Sequence, residues 1–526
     1  MPLLPFLRLS AIAICVAPLV PDSALAQPDD LLPPPQTAGI AVPDGQIEQA
    51  IEQLDALAES LLERSGIPGM AVAVVHDGEI PYASGFGVRQ IDEDAPVEPE
   101  TVFQIASLSK SVSATVVARQ IDQGLVRWDT PVAELVPWFT LSDPAVGEQV
   151  TIGDLFAHRS GLPDHAGDDL EDLGFDRRTI LERLKYLPLE PFRISYAYTN
   201  FGLTAAAEAV AAATGKAWED VAAQSLYHPL GMTSTSSRYA DFQEQANKAR
   251  GHVATPDGFQ PLLERQPDAQ SAAGGVSSTV LDLARWMGML LDEGRLEGET
   301  FISAEALLPA ITPQIISSPA YAPDARPGFY GYGFDVGSEP SGRVRIAHSG
   351  AFYLGSSTNF LLLPSLDVGI VVLTNASPTG AAEALAMEFA DLVQYGTITR
   401  DWFEGYSQLM APMLAPVGQL VDMEAPAEAT PPAELASYAG LYENDYFGEA
   451  EVRLEEEQLR LVLGPERQAS PLTHWNGDAF TYAPFGENAP LGSLSEVAFT
   501  ASQGRAEAMT IEFLDSYGLG TFSRVD

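Results

Sequence analysis

Phe103-Gln104-Ile105-Ala106-Ser107-Leu108-Ser109-Lys110 is the stretch that decides how the rest of this chain reads. Lysine is scarce. Besides Lys110 there are Lys185, Lys216 and Lys248, and Lys110 alone has a serine three positions before it. Val112, Val116, Val117 and Ile121 then follow at helical spacing, and Gly124 closes the run. A helix opening at Ser107 puts Ser107 and Lys110 on one face, whereas Ser109 points elsewhere. Apolar surroundings lower the pKa of a lysine and let its neutral amine act as a base toward a hydroxyl. The first-turn amides of the helix favour negative charge on Ser107. A capping serine followed by a snorkelling lysine leaves the same local string, so the surrounding segments must decide.

Working outward, Ile47, Ile51, Leu54, Leu57, Leu61 and Leu62 predict a helix from Ile47 to Leu62. Met70 to Val75 and Ile80 to Phe86 read as a hairpin around Asp77-Gly78. From Ser107 to about Thr235 the chain is mostly helical in pattern, including the Ala-rich Thr204 to Thr214. Strand character returns at Arg343 to Ala347, Thr358 to Leu363 and Val368 to Thr374. Strands at both ends with helices between them predict an α+β fold. In it an antiparallel sheet is assembled from N- and C-terminal segments and flanked by helices, with a helical domain inserted. Pro, Ala and Glu cluster from Val421 to Pro432 and mark a boundary. Beyond it, Val452 to Leu454, Leu459 to Leu463 and Met509 to Phe513 alternate as short strands, which predicts an all-β, barrel-like module.

The first residues read as an export signal, residues 1–26. Arg8 gives a positive start, Ser10 to Val20 an apolar run, and Ala24-Leu25-Ala26 a cleavage site that leaves Gln27 first. The expected location is periplasmic or secreted. Residues 27–45, with Pro33-Pro34-Pro35, read as a linker. The most apolar later segment, Phe360 to Thr374, is broken by Pro364 and Asp367, so no integral membrane segment is expected after signal removal. The single cysteine, Cys15, lies in the signal, and Ile14 before it is not the small residue of a lipidation site. Disulfides, thiolate catalysis and thiolate metal sites drop out together. His158 and His165 are spaced for no metal-binding helix face, and no H-E-x-x-H string occurs, so neither metal nor cofactor is expected. With 72 acidic and 28 basic residues the net charge is −44, which repels nucleic acid and anionic lipid.

Two further segments give the serine company: Tyr198-Thr199-Asn200 and His348-Ser349-Gly350. With Ser107-x-x-Lys110 they resemble, in order and rough spacing, the S-x-x-K, Y-x-N and [KH]-x-G motifs of the penicillin-binding-protein and class C β-lactamase-like serine hydrolases. That group includes esterases, D-aminopeptidases and other serine peptidases. Ile67-Pro68-Gly69, Thr101-Val102-Phe103, Leu155-Phe156-Ala157-His158-Arg159-Ser160-Gly161-Leu162-Pro163, Pro229-Leu230-Gly231-Met232 and Ala273-Gly274-Gly275-Val276-Ser277-Ser278-Thr279 resemble its supporting segments. The likeness covers residues 46–400 as the catalytic domain, followed by a connecting segment, 401–432. The tail, 433–526, is similar to a lipocalin-like domain at Leu435-Ala436-Ser437-Tyr438-Ala439-Gly440-Leu441-Tyr442, Leu472-Thr473-His474-Trp475 and Phe480.

The resemblance implies roles. Ser107 is the nucleophile that becomes acylated, and Lys110 and Tyr198 share the proton work, with the identity of the base left open. Asn200 hydrogen-bonds the substrate amide, and His348 faces the cleft where many relatives carry lysine. The N–H groups of Ser107 and of Ala351, just after Gly350, form the oxyanion hole. An imidazole binds a carboxylate less well than a lysine does, which turns the expectation away from β-lactams. The expected activity is that of a secreted serine peptidase or amidase on a small molecule or short peptide, which D-amino acids would suit. A carboxylesterase is the alternative, followed by a β-lactamase or a non-hydrolytic penicillin-binding sensor.

Overall fold

The computed structural model describes residues 38–526. The expected signal and its cleavage site lie outside the described residues. The expected first helix is two, α1 (Gln46–Ile51) and α2 (Leu54–Ser65). Strands β1 (Gly69–His76) and β2 (Glu79–Gly87) pair around Asp77-Gly78, whose φ values of +51° and +72° suit a tight hairpin turn. The insertion carries three long helices, α3 (Leu108–Asp122), α4 (Asn200–Thr214) and α5 (Val280–Leu291). Three short strands precede the expected late ones: β3 (Ile315–Ser318), β4 (Gly328–Tyr330) and β5 (Asp335–Ser338). Then come β6 (Val344–Phe352), β7 (Ser356–Leu363) and β8 (Val368–Thr374), and the helices α6 (Ala381–Tyr395) and α7 (Trp402–Leu414). All eight strands form one antiparallel sheet in the order β2-β1-β8-β7-β6-β5-β4-β3.

The central strands read as unbroken apolar runs because both faces of the sheet are covered. Met70, Val72 and Val74 of β1, with Ile370 and Val372 of β8, pack in the layer of α2 and α6. Their neighbours Ala71, Ala73, Val75, Val371 and Leu373 face the larger core shared with α3 and α5. The period-2 alternation of a strand sorts them between the two layers. One insertion thus lies on a single side of the sheet, and its first helix begins at the Ser107-x-x-Lys110 string.

The tail forms a second antiparallel sheet of nine strands, β9 (Gly440–Asn444), β10 (Gly448–Glu455), β11 (Gln458–Leu463), β12 (Gln468–Pro471), β13 (Thr473–Asn476), β14 (Ala479–Tyr482), β15 (Ser495–Ser502), β16 (Arg505–Ile511) and β17 (Thr521–Arg524). Its order is β12-β11-β10-β9-β17-β16-β15-β14-β13, so the two edge strands are consecutive in the chain and the sheet curls into a nearly closed barrel. Tyr438, Phe480 and Phe499 pack ring to ring inside it. The connecting segment is more ordered in shape than its composition suggested, since α7 occupies its first half.

Trp286 of α5 holds the layers together. It is fully buried, meets Phe360 of β7 edge-on at 5.0 Å, and donates its indole N–H to Thr115 of α3 at 3.1 Å. Trp286→Ala is expected to cost about 3–5 kcal/mol in urea unfolding. A loss below about 1 kcal/mol would contradict this packing.

Candidate active site

Ser107 sits at the N-cap of α3. Ala106 before it is held at φ +47°, a conformation that costs a non-glycine residue energy and that turns the chain sharply from β-like Phe103–Gln104 into the helix. Among the described residues the Ser107 N–H donates to no protein group. Strand β6 runs directly beside it. A Cβ on Gly350 would lie 2.4 Å from Thr358 Oγ1, 2.6 Å from the Ile105 carbonyl and 2.9 Å from Ser107 N, so only glycine lets the strand approach the helix start this closely.

One turn on, Lys110 is fully buried. Its amine reaches Ser107 Oγ at 3.1 Å, Asn200 Oδ1 at 2.7 Å and the Ala273 carbonyl at 2.9 Å. Three acceptors match the three donors of an ammonium. Burial lowers its pKa to about 7 against the opposing pull of Asp168 and Glu171. That drop corresponds to about 5 kcal/mol in favour of the neutral amine. The amine also lies 4.6 Å from the centre of the Tyr198 ring.

Tyr198 is clamped by the segment that contains His158 and His165. The Ala197 N–H donates to the His158 carbonyl at 2.9 Å, the Thr199 N–H to His158 Nδ1 at 3.1 Å, and the His165 N–H to the Tyr198 carbonyl at 2.7 Å. His158 is itself in the left-handed region at φ +55°, and burial holds its ring neutral. Burial raises the Tyr198 pKa well above its ordinary value, and the nearby Ser107 hydroxyl offsets only part of that. The phenol therefore stays protonated at neutral pH.

The structure brings Ser107, Lys110, Tyr198 and Asn200 together, with Gly350 and Ala351 on the facing strand. All of these but the fully buried Lys110 border a cleft of about 540 Å³, together with Ser349, Tyr196, Phe352 and Tyr353. Two expected contacts are rearranged. Asn200 spends its carbonyl on Lys110 and its NH2 on Asp168 Oδ2 at 2.9 Å, so its amide is committed within the protein. The expectation that His348 faces the cleft is corrected. Its ring is buried behind Tyr198, Nε2 meets Tyr330 Oη at 2.8 Å, and Nδ1 meets the Ser349 carbonyl. Burial lowers its pKa, so it is a neutral buttress.

Sequence reasoning missed Asp168. Its Oδ2 bridges Asn200 and His165 Nδ1, the latter at 2.9 Å, and this hydrogen bond raises the His165 pKa to about 9. A Lys110–Asn200–Asp168–His165 chain thus runs from the buried amine to the half-exposed imidazolium at the cleft mouth. The residues are far apart in sequence and follow no period, so only the spacing of His165 and Asp168, three apart, offered a signal. Glu487 of the barrel was also missed. From the loop between β14 and β15 it accepts the N–H groups of Tyr353 at 2.7 Å and Leu354 at 3.3 Å, which puts the tail at the cleft wall. Among the described residues no cluster could hold a metal ion, and no helix is long and apolar enough to cross a membrane.

Two outcomes follow from this geometry. Gly350→Ala, by pushing β6 off the helix start, is expected to lower kcat/KM about 10²-fold, and unchanged kinetics would contradict the close approach. In Asp168→Asn, the His165 ring titration followed by NMR should fall from about 9 toward the ordinary histidine value. A midpoint that stays put would show that Asp168 does not hold the proton.

Known proteins are similar to this chain over most of its length. The family model described as Beta-lactamase matches residues 54–394, and one described as Domain of unknown function (DUF3471) matches residues 424–519. An unguisins hydrolase of Aspergillus campestris is 26% identical over 440 residues, covering 79% of this chain and 80% of that protein. The D-alanyl-D-alanine-carboxypeptidase/endopeptidase AmpH of Escherichia coli is 24% identical, covering 67% of this chain and 91% of that protein. Among solved structures, the octameric penicillin-binding protein homologue from Pyrococcus abyssi superposes with a TM-score of 0.58 at 20% identity, over 90% of this chain and 99% of that one.

Proposed function

We propose, for a chain that belongs to the beta-lactamase family of serine hydrolases, that it cleaves amide bonds of short peptides through an acyl-enzyme on Ser107. The observation that carries this reading is the Lys110 amine, fully buried, 3.1 Å from Ser107 Oγ, with its pKa brought to about 7. At neutral pH a large fraction is the free amine. It takes the Ser107 proton as Oγ attacks the carbonyl carbon, and it becomes the ammonium that Asn200 Oδ1 and the Ala273 carbonyl already accept from. The oxyanion is met by the N–H groups of Ser107 and Ala351.

In this reading Tyr198, kept protonated by burial and with its hydroxyl toward Ser107, gives its proton to the leaving nitrogen and regains one from the Lys110 ammonium, rather than serving as the first base. The C–N bond breaks, and water repeats the sequence in reverse to free the acyl group and restore Ser107.

Peptide substrates, including those with D-residues, are supported by the likeness to a D-alanyl-D-alanine-carboxypeptidase/endopeptidase. The neutral, buried His348 argues against efficient capture of a β-lactam carboxylate. In this reading the Glu487 loop, reaching the cleft wall from the barrel-like tail, restricts the size of what enters. Export, with cleavage after Ala26, belongs to the same reading and rests on the apolar run Ser10 to Val20 and the Ala24-Leu25-Ala26 site.

The pH profile tests the chemistry. Only the free amine accepts a proton, so kcat/KM should fall as pH drops through about 7, and Lys110→Met should lower it by about 10²–10⁴-fold. A profile flat through this range, or a Lys110→Met enzyme within a few-fold of wild type, would contradict the assignment. A panel of short D- and L-peptides, acyl esters and a chromogenic cephalosporin tests the substrate class. Turnover of peptides with little hydrolysis of the cephalosporin is expected, and turnover confined to esters would overturn the peptidase reading.

A further inference from the structure

The wall of the cleft on the α6 side carries chemistry that the hydrolytic machinery does not use. Glu383, in the first turn of α6, is 3% exposed and lines the same cleft as Ser107. The Ser349 side chain approaches its carboxyl, and Ser349 Oγ accepts the Asn359 NH2 at 3.0 Å. Glu383 Oε2 is buried with no hydrogen-bond partner among the described residues, and so is Asn359 Oδ1. Ser349 and Asn359 are paired across β6 and β7. They fall on the same side of the sheet as Ala347 and Leu361, the side covered by α6. Two orphaned acceptors, one on the Glu383 carboxyl that lines the cleft and one on Asn359 behind Ser349, thus lie on the same side of the sheet.

An acceptor buried without a donor loses its hydration with nothing in return, and the loss is greater for a charged one. Burial also lifts the Glu383 pKa to about 7. Glu383 forms no ion pair among the described residues. Arg345, earlier on β6, is turned to Glu339 at 3.5 Å. The cations of the cleft are likewise committed, Arg265 to Glu171, Asp172 and Glu487, and His165 to Asp168. Met410 and Met413 of α7 line the same cleft with apolar surface.

We infer that this wall is a subsite for a primary ammonium on an aliphatic stem, with the Glu383 carboxylate as its counter-ion, Asn359 as a second acceptor and the α7 methionines along the stem. It rests on the Ser107 reading, because it selects which substrates reach that serine. An ammonium supplies the donors that the two orphaned acceptors lack, and because Glu383 is already buried, its attraction for a cation is less screened than in water. A substrate carboxylate at this wall would meet Glu383 with no free cation to offset it. The subsite therefore favours amine-bearing substrates, whether the amine lies in the acyl part or in the leaving part.

Protection of Ser107 tests this without knowing the substrate. The rate at which a neutral fluorophosphonate labels Ser107, read by intact mass, is measured with added hexylammonium, hexanol or hexanoate. Hexylammonium is expected to slow labelling at concentrations at least tenfold lower than the other two. Glu383→Gln is expected to abolish that difference, and Glu383→Asp to keep part of it. Equal protection by the three compounds on wild type, or an ammonium preference that survives in Glu383→Gln, overturns the subsite. The wild-type comparison decides the matter if the variants fail to fold. A wild type that labels normally but shows no preference removes the subsite and leaves the Ser107 reading intact. A wild type that takes no phosphonate overturns the Ser107 reading and the subsite with it.

Discussion

Burying Lys110 takes its amine out of water, and three acceptors from separate parts of the chain replace its hydration: Ser107 Oγ, Asn200 Oδ1 and the Ala273 carbonyl. A lone ammonium would not tolerate that depth, so the site stands only if those three groups arrive together. Each is delivered by a different element. Helix α3 presents Ser107, the start of α4 presents Asn200, and the Ala273-Gly274-Gly275 turn presents a carbonyl. Ser113 Oγ fixes that turn at Ala272, and Ser109 Oγ at Val276. The hydroxyls of α3 that point away from the substrate thus build the cradle for the lysine.

The same constraint accounts for the outer groups. Asn200 can orient its carbonyl toward Lys110 only if its NH2 has a partner, and Asp168 supplies it. Asp168 is buried in turn and is offset by the His165 imidazolium at the edge of the cleft. His158 and His348, by contrast, are kept neutral by burial on the far side of Tyr198. Charge is concentrated on one side of the tyrosine, and the other side is packed with rings that fix its position: His158 at 4.5 Å and His348 at 6.4 Å between centres. The protein spends conformational strain at Ala106 to aim the serine, and the sheet and helices that over-determine that turn make it sustainable.

Much of this was legible from the residues. The S-x-x-K spacing is about one helical turn, so a helix puts Ser107 and Lys110 on one face, and the Tyr198 and His348 segments set this string apart from a capping serine with a snorkelling lysine. The Asp77-Gly78 hairpin and the runs at Thr358 to Leu363 and Val368 to Thr374 pointed to a sheet built from both ends of the domain. What stayed hidden depends on long-range assembly. Asp168, Glu383 and Glu487 follow no periodicity and resemble the many other acidic residues of a strongly acidic chain. The direction of the His348 ring could not be read because it is set by Tyr330, on a three-residue strand too short to leave a pattern. The break between α1 and α2 was likewise invisible, because the apolar spacing runs straight across it.

The central claim is that a buried, partly neutral Lys110 turns Ser107 into a nucleophile that is acylated during turnover. Acid-quenching the enzyme in the steady state with an activated acyl ester, followed by peptide mapping by mass spectrometry, addresses this directly. An acyl group on Ser107, absent from Ser107→Ala, is the result the account predicts. Sustained turnover with the acyl group on another residue, or undiminished hydrolysis by Ser107→Ala, would contradict it.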